Sequence, residues 1–267
     1  MNLGLLGGGR MGEALASGLI AAGWEPESIA IAEIDAERRH HLEARLPGAR
    51  IVPSPAWAAA DVDVLVVAVK PSDVTSALEG SATSLPEHAL VLSIAAGVSI
   101  ATLEAAAPGR PVVRAMPNTP ALVGLGASAI AAGGLATDDD LDLAERVLGA
   151  VGTVARVPEH QLDAVTGVSG SGPAYVFLLA EAMMEAGVLV GLPRASADAL
   201  VRQTLLGAAT LLMESGETPE SLRAAVTSPG GTTAAAVKEF ETHGFRSAVL
   251  HAVEAAARRS REIESGE

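Results

Sequence analysis

Short, uninterrupted apolar runs separated by amphipathic segments fill the first 158 residues of this 267-residue chain and then cease. The runs Leu3–Leu6, Ile29–Ala32, Arg50–Val52, 64–69, 90–94 and 112–115 read as strands, with helical patterns at 12–22, 36–46 and Ile100–Ala106 between several of them. Half-exposed strands alternate polar and apolar residues; strands covered on both faces do not have to. The pattern therefore predicts a mostly parallel sheet with helices on each side. Beyond Met116, Pro117 and Pro120 precede a Gly/Ala-rich strand-like piece. A helix opened by Thr137-Asp138-Asp139-Asp140 follows, with a hydroxyl at the cap and carboxylates in the first turn. Residues 152–157 complete the strand set.

From Pro158 onward the strand signal is gone. Segments 161–168, 173–190, 193–215, 219–226, Thr232–Thr242 and 245–262 read as helices, with prolines at or near several starts. The change divides the chain into an α/β domain over 1–158 and an all-α domain over 159–267. Several of these helices are apolar around most of their circumference, more than a small helical domain can bury alone, so they are expected to pack on another copy of the chain.

Aromatics make up only 2% of a chain that is 49% hydrophobic, so the core must be built from Ala, Val and Leu. A formal charge of −14 argues against nucleic acid or an anionic membrane surface as partner. With no cysteine, disulfides, thiolate chemistry and cysteine metal sites are excluded, and no metal is expected. The N-terminus enters a strand pattern without a basic n-region, so no secretory signal is expected. The most apolar stretches carry Glu181 and Glu185, or Asp198 and Arg202, and are not read as membrane spans. A soluble, cytoplasmic protein is the expectation.

The first run leads into Gly7-Gly8-Gly9-Arg10-Met11-Gly12, which has GxGxxG spacing between a strand and a helix. The first glycine permits a tight turn, the second lets backbone approach a pyrophosphate, and the third lets helix and strand pack closely. A Rossmann-type dinucleotide-binding domain is thus predicted. Glu33 ends the second run about 20 positions later, where a carboxylate would accept from an adenosine ribose hydroxyl. Arg38 and Arg39 lie in the same region and could instead hold a 2′-phosphate, so NADPH and NADH both stay open. Ala68-Val69-Lys70-Pro71 closes the fourth run at the end where ligands sit in such sheets. Ala95-Ala96-Gly97 leaves room for a flat ring near the backbone.

A second glycine turn lies at Thr227-Ser228-Pro229-Gly230-Gly231-Thr232-Thr233. Backbone N–H groups at a helix start, with hydroxyls beside them, make a small anion site; an ordinary capped helix–helix turn is the alternative. With this turn, the Gly7–Gly12 turn, Ala68–Pro71, the run Val113-Arg114-Ala115-Met116-Pro117-Asn118-Thr119-Pro120, Asp163–Thr166 and Ser169–Tyr175, the chain resembles pyrroline-5-carboxylate reductases over nearly its whole length. The resemblance implies NADPH- or NADH-dependent reduction of 1-pyrroline-5-carboxylate to L-proline, the last step of proline biosynthesis. It also implies a helical domain that interlocks with a second subunit, in dimers or decamers.

Carried over by that resemblance, the backbone of Gly230, Gly231 and Thr232 would hold the pyrroline carboxylate. Thr233 and Ser228 are the expected catalytic residues, with the Thr233 hydroxyl at the ring nitrogen. Gly7, Gly8, Gly9, Arg10, Met11, Gly12, Glu33, Ala68, Val69, Lys70, Pro71, Ala95, Ala96 and Asn118 would bind the dinucleotide, with Glu159 near it. Two positions depart from the family pattern: Ile34, where an arginine is often found, and Pro55, where an asparagine is common. Whether the partner subunit completes the site is left open.

The chemistry agrees. A cyclic imine nitrogen is itself basic, so hydride delivery needs a carboxylate anchor and a hydrogen bond at nitrogen rather than a strong acid. None of the six histidines lies in a glycine- or hydroxyl-rich motif, and His40, His41, His88 and His243 read as surface residues. The alternatives are a β-hydroxyacid-type reductase, for which Lys238 would be the lysine, another cyclic-imine reductase, and a non-catalytic dinucleotide or proline sensor.

Overall fold

The computed structural model describes residues 1–265. Its strands are β1 (Leu3–Leu6), β2 (Ile29–Ala32), β3 (Arg50–Val52), β4 (Val64–Val67), β5 (Leu90–Ser93), β6 (Val112–Met116), β7 (Gly126–Ala132) and β8 (Gly152–Arg156). The helices are α1 (Arg10–Ala21), α2 (Ala36–Arg45), α3 (Pro55–Ala58), α4 (Val74–Ser81), α5 (Ile100–Ala106), α6 (Asp138–Gly149) and α7 (Leu162–Val165). They continue as α8 (Gly172–Leu189), α9 (Arg194–Glu214), α10 (Pro219–Ala225), α11 (Thr232–Thr242) and α12 (Phe245–Ser265).

One sheet runs β3-β2-β1-β4-β5-β6-β7-β8. Its pairs are parallel except β6 with β7, where Arg114 faces Ala131. The link between those two strands is too short for a crossover helix. It is a 3₁₀ turn over Thr119–Val123 closed by Gly124 in the left-handed region, which returns the chain antiparallel.

The uninterrupted apolar runs are explained by two-sided burial. From the central strands, Leu3, Leu5, Val64, Val66, Leu90 and Leu92 pack with Leu15, Leu19, Val147 and Leu148 of α1 and α6. The intervening Leu6, Leu65, Val67 and Val91 pack on the other face with Ala58, Leu78 and Leu103. The first turn of α6 forms a full capping box between Thr137 and Asp140. Strand β4 ends at Val67 rather than at 69, because Lys70-Pro71 begins a 3₁₀ turn and proline cannot donate to the ladder. The helix expected over 161–168 is instead α7 followed by a π-turn over Thr166–Gly170. There the Thr166 and Ser169 hydroxyls donate to the carbonyls of Leu162 and Val165, and Gly167 and Gly170 loosen the ladder.

The chain forms two compact units. The first comprises residues 1–171 and the end of α12 from Ala255; the second comprises Gly172–Glu254. Residues 159–171 therefore pack with the sheet, whereas the composition change that guides a sequence-based division falls at 158. In the second unit Ala197 and Val201 of α9 are the buried hydrophobics among the described residues. Phe177, Leu178, Leu189, Leu206, Leu211 and Leu250 are exposed in the single chain. Residues 159–189 contain a helical run long and apolar enough, by length and composition, to cross a membrane; Glu181 and Glu185 lie within it.

Candidate dinucleotide and substrate sites

Strand β1 delivers the chain into the Gly7–Gly12 turn. Gly7 sits at φ +103°, and a Cβ there would lie 2.7 Å from the Ala68 carbonyl oxygen. A Cβ on Gly12 would collide with the Gly7 carbonyl, so α1 can lie against β1 only without a side chain at that position. At Gly9, by contrast, the space a Cβ would occupy is open. Gly9 caps α1 with no side-chain hydrogen bond, leaving first-turn N–H groups available to an anion.

Two cavities at the carboxyl ends of the strands share Ala68 and Val69 as walls. One, of about 590 Å³, is lined by Gly7, Gly9, Glu33, Ile34, Pro55 and Lys70 among others. The other, of about 260 Å³, is lined by Met11, Pro71, Ala95, Ala96, Met116 and Pro117. Open backbone at Gly9, an uncapped helix start and a carboxylate at the rim fit a dinucleotide.

Glu33 is held at that rim. Its Oε2 accepts from Gly8 N–H at 3.1 Å and its Oε1 from Asp35 N–H at 2.9 Å. Arg38 turns to the other side of the glycine turn, donating from Nε to the Gly8 carbonyl at 2.7 Å and from Nη2 to Glu13 at 2.6 Å. Burial alone would raise the Glu13 carboxyl pKa, but hydrogen bonding and charge from Arg38, with His41 alongside, hold it below the ordinary value. Arg39 donates to the carbonyls of Glu33 and Ile34.

Five residues expected at the cofactor line neither cavity: Gly8 and Gly12, which are packed inside the glycine turn, and Arg10, Asn118 and Glu159. Arg10 faces a separate cavity of about 420 Å³ with Glu13, Ser17 and Arg45. Asn118 is buried, and its amide donates to the Ser169 carbonyl and accepts from Ala127 N–H. Glu159 accepts from Ile100 N–H at 2.7 Å and from Arg114 at 2.9 Å. Arg114 lies in the Val113–Pro120 run that carries the family resemblance but has no assigned role there; its charge inside an apolar strand is the other signal.

In the second unit, Gly230 (φ +70°) and Gly231 open α11, and Gly231 caps it without a side-chain bond. Ser228 and Thr232 are exposed and Thr233 is half-buried. Their hydroxyls make no hydrogen bond within the described residues, whereas Thr227 just before donates to the Arg223 carbonyl. Free hydroxyls and uncapped helix N–H groups are thus gathered at one turn, a donor set of the kind an anion can use. All six histidines are exposed, and so is Lys238 on α11.

A parallel sheet with a glycine turn, a carboxylate-rimmed double cavity and a separate helical unit defines a dinucleotide-dependent oxidoreductase. The chain belongs to the pyrroline-5-carboxylate reductase family. The profile for pyrroline-5-carboxylate reductase dimerisation matches residues 159–263, and that for NADP oxidoreductase, coenzyme F420-dependent, matches residues 2–97. The pyrroline-5-carboxylate reductase of Synechocystis sp. is 47% identical, over 98% of each chain. That of Mycobacterium tuberculosis is 45% identical, over 97% of this chain and 95% of the other. Among solved structures, the Coxiella burnetii pyrroline-5-carboxylate reductase superposes with a TM-score of 0.93 at 36% identity, over 98% of each chain. The Plasmodium falciparum pyrroline carboxylate reductase with NADP bound gives 0.86 at 31% identity, over 99% of this chain and 98% of the other.

Proposed function

We infer that this chain reduces 1-pyrroline-5-carboxylate to L-proline with NAD(P)H, the final step of proline biosynthesis. One observation carries the reading. A cavity fitted to a dinucleotide coexists in one chain with a glycine-opened helix whose flanking hydroxyls, Ser228, Thr232 and Thr233, have no partner within the described residues.

When bound, the dinucleotide supplies the hydride. Gly7, Gly9 and the first turn of α1 would hold its pyrophosphate, Glu33 an adenosine ribose hydroxyl, and Ala95 and Ala96 the nicotinamide end. The N–H groups of Gly230, Gly231 and Thr232 would hold the substrate carboxylate, aided by the positive end of α11. The Thr233 hydroxyl orients the ring nitrogen, with Ser228 beside it. Because that nitrogen is basic, it carries its own proton into the reaction, and no histidine is required. In this reading residues 1–158 serve the dinucleotide and residues 159–267 serve substrate and dimerisation. The exposed apolar face of α8 and α9 is a subunit interface rather than a membrane surface, and the assembled enzyme is a cytoplasmic homodimer or a larger ring of dimers.

The test is Thr233→Ala. Losing one hydrogen bond to a charged partner removes roughly 1.5–3 kcal/mol, or about 10–200-fold in kcat/KM. The KM for the imine rises, while NAD(P)H affinity, measured calorimetrically without substrate, stays near that of the unsubstituted protein. Unchanged kinetics would sink the assignment, as would a large loss of dinucleotide affinity.

A further inference from the structure

Arg114 and the last turn of α12 have no part in the chemistry above, yet they converge on the loop that follows Ala95 and Ala96 of the smaller cavity. The Arg114 side chain leaves β6 with only 6% of its surface exposed. Its Nη1 donates to Glu159 Oε1 and its Nη2 to Glu264 Oε2, both at 2.9 Å. The same Glu159 oxygen accepts from the N–H of Ile100, the first residue of α5, at 2.7 Å. One buried guanidinium thus joins the end of α12, the turn at Glu159 and the start of α5.

A second contact reaches the same loop. Gly97 lies at φ +70°, and a Cβ built there would sit 2.9 Å from the Ile263 Cγ2. Ile263 therefore rests on bare backbone between β5 and α5. Two residues earlier that loop is Ala95, which with Ala96 lines the 260 Å³ cavity.

We infer that Ile263 and Glu264, acting with Arg114, form a strap that sets the 95–100 loop for the dinucleotide, and that they are positioning residues for cofactor binding. The inference rests on the reading of Ala95 and Ala96 as cofactor wall. Burial disfavours the Arg114 charge, but hydrogen bonds and charge from Glu264 and Glu159 more than offset this, so the guanidinium stays ionised and the tie persists. Glu264 sits in the terminal turn of a helix, where opening costs little, and its side chain is 28% exposed. Releasing it leaves the sheet core untouched, so the effect falls on the loop.

Full-length Glu264→Ala and Ile263→Ala test this, with Glu264→Gln as the conservative variant that keeps an acceptor oxygen. Hydrogen exchange over residues 95–100 reads the loop, titration calorimetry with NADH and NADPH reads the cavity, and steady-state KM is taken for each substrate. Both alanine variants should speed exchange over 95–100 and weaken dinucleotide binding, Glu264→Ala by about tenfold, the worth of one hydrogen bond to a charged group. The imine KM should stay within about twofold of its original value and Glu264→Gln should recover most of the affinity, since the amide oxygen still accepts from Arg114. Unchanged exchange in both alanine variants overturns the strap. A lower thermal midpoint with unchanged dinucleotide affinity overturns it too, leaving a structural tether only. If dinucleotide fails to slow exchange over 95–100 in the unsubstituted protein, the cofactor wall is misplaced, and the inference falls for that separate reason.

Discussion

The two units treat their apolar residues in opposite ways. In the sheet unit Leu3, Leu5, Val64, Leu65, Val66, Leu90 and Leu92 are wholly buried, because strands covered on both faces find every partner within one chain. In the helical unit α8 has no buried residue at all, and Phe177 and Leu178 stand 61% and 66% exposed. Apolar surface on that scale belongs against another surface. The match of residues 159–263 to a dimerisation profile says what kind. One unit completes its core within the chain; under the proposed function the other completes its own against a second copy, and its stability is then expected to depend on protein concentration.

Placing the same charge in each unit breaks the comparison most sharply. Leu92→Glu puts an unpaired carboxylate in a sealed core and should abolish folding, since the penalty of several kcal/mol rivals the whole stability of a domain. Circular dichroism at any protein concentration should show the loss. Phe177→Glu should fold, because the side chain already faces outward in a single chain. It should instead weaken association by about 2 kcal/mol or more, roughly 30-fold, read as a shift to smaller mass in light scattering on dilution. A Phe177→Glu protein that stayed fully associated would show that α8 is not at the interface.

Gly12→Val is next in size and acts inside the self-sufficient unit. A Cβ at this position meets the Gly7 carbonyl, so α1 must move away from β1 and carry the phosphate-binding amides with it. Stability should fall by about 1–3 kcal/mol. Dinucleotide affinity should fall as well, by about 100-fold, while the oligomer mass stays unchanged. Loss of both together would mean that the units are not energetically separate.

Much of this was legible from residues alone, and what escaped has a common cause. The strands, the Gly7–Gly12 turn and the capping box at Thr137 rest on local patterns whose partners lie within a few residues. The turn at Gly230–Gly231 was legible for the same reason. The π-turn over Thr166–Gly170 was not, because its hydroxyls could equally cap an ordinary helix. Neither were α3 and α4, whose four and eight residues offer little periodicity. The Arg114 network escaped entirely. Its partners lie 45 and 150 positions away, and no local pattern foretells a pairing made by the fold. Asn118 shows the same limit in reverse, since it sits in a recognisable motif but its amide is engaged by the Ser169 carbonyl and Ala127 N–H.

The smallest effect isolates a single carboxylate of the sheet unit. Glu13 on α1 faces Arg38, His41 and Arg45 with 19% of its side chain exposed. Burial would raise its pKa, but Arg38 and then His41 outweigh that and leave it lowered from 4.5. A carboxyl with a lowered folded pKa takes up its proton first in the unfolded chain, so the Glu13 contribution is complete above the unfolded value and fades as pH falls through the folded one. Denaturant midpoints of the unsubstituted protein and of Glu13→Gln should therefore differ at neutral pH and converge as the pH drops below about 4.5. The gap should not depend on protein concentration, since Glu13 and its three partners lie in the unit that completes its own core. A gap that widened in acid would reverse the sign of the linkage. One that grew on dilution would tie α1 to the subunit interface and erase the distinction between the two units.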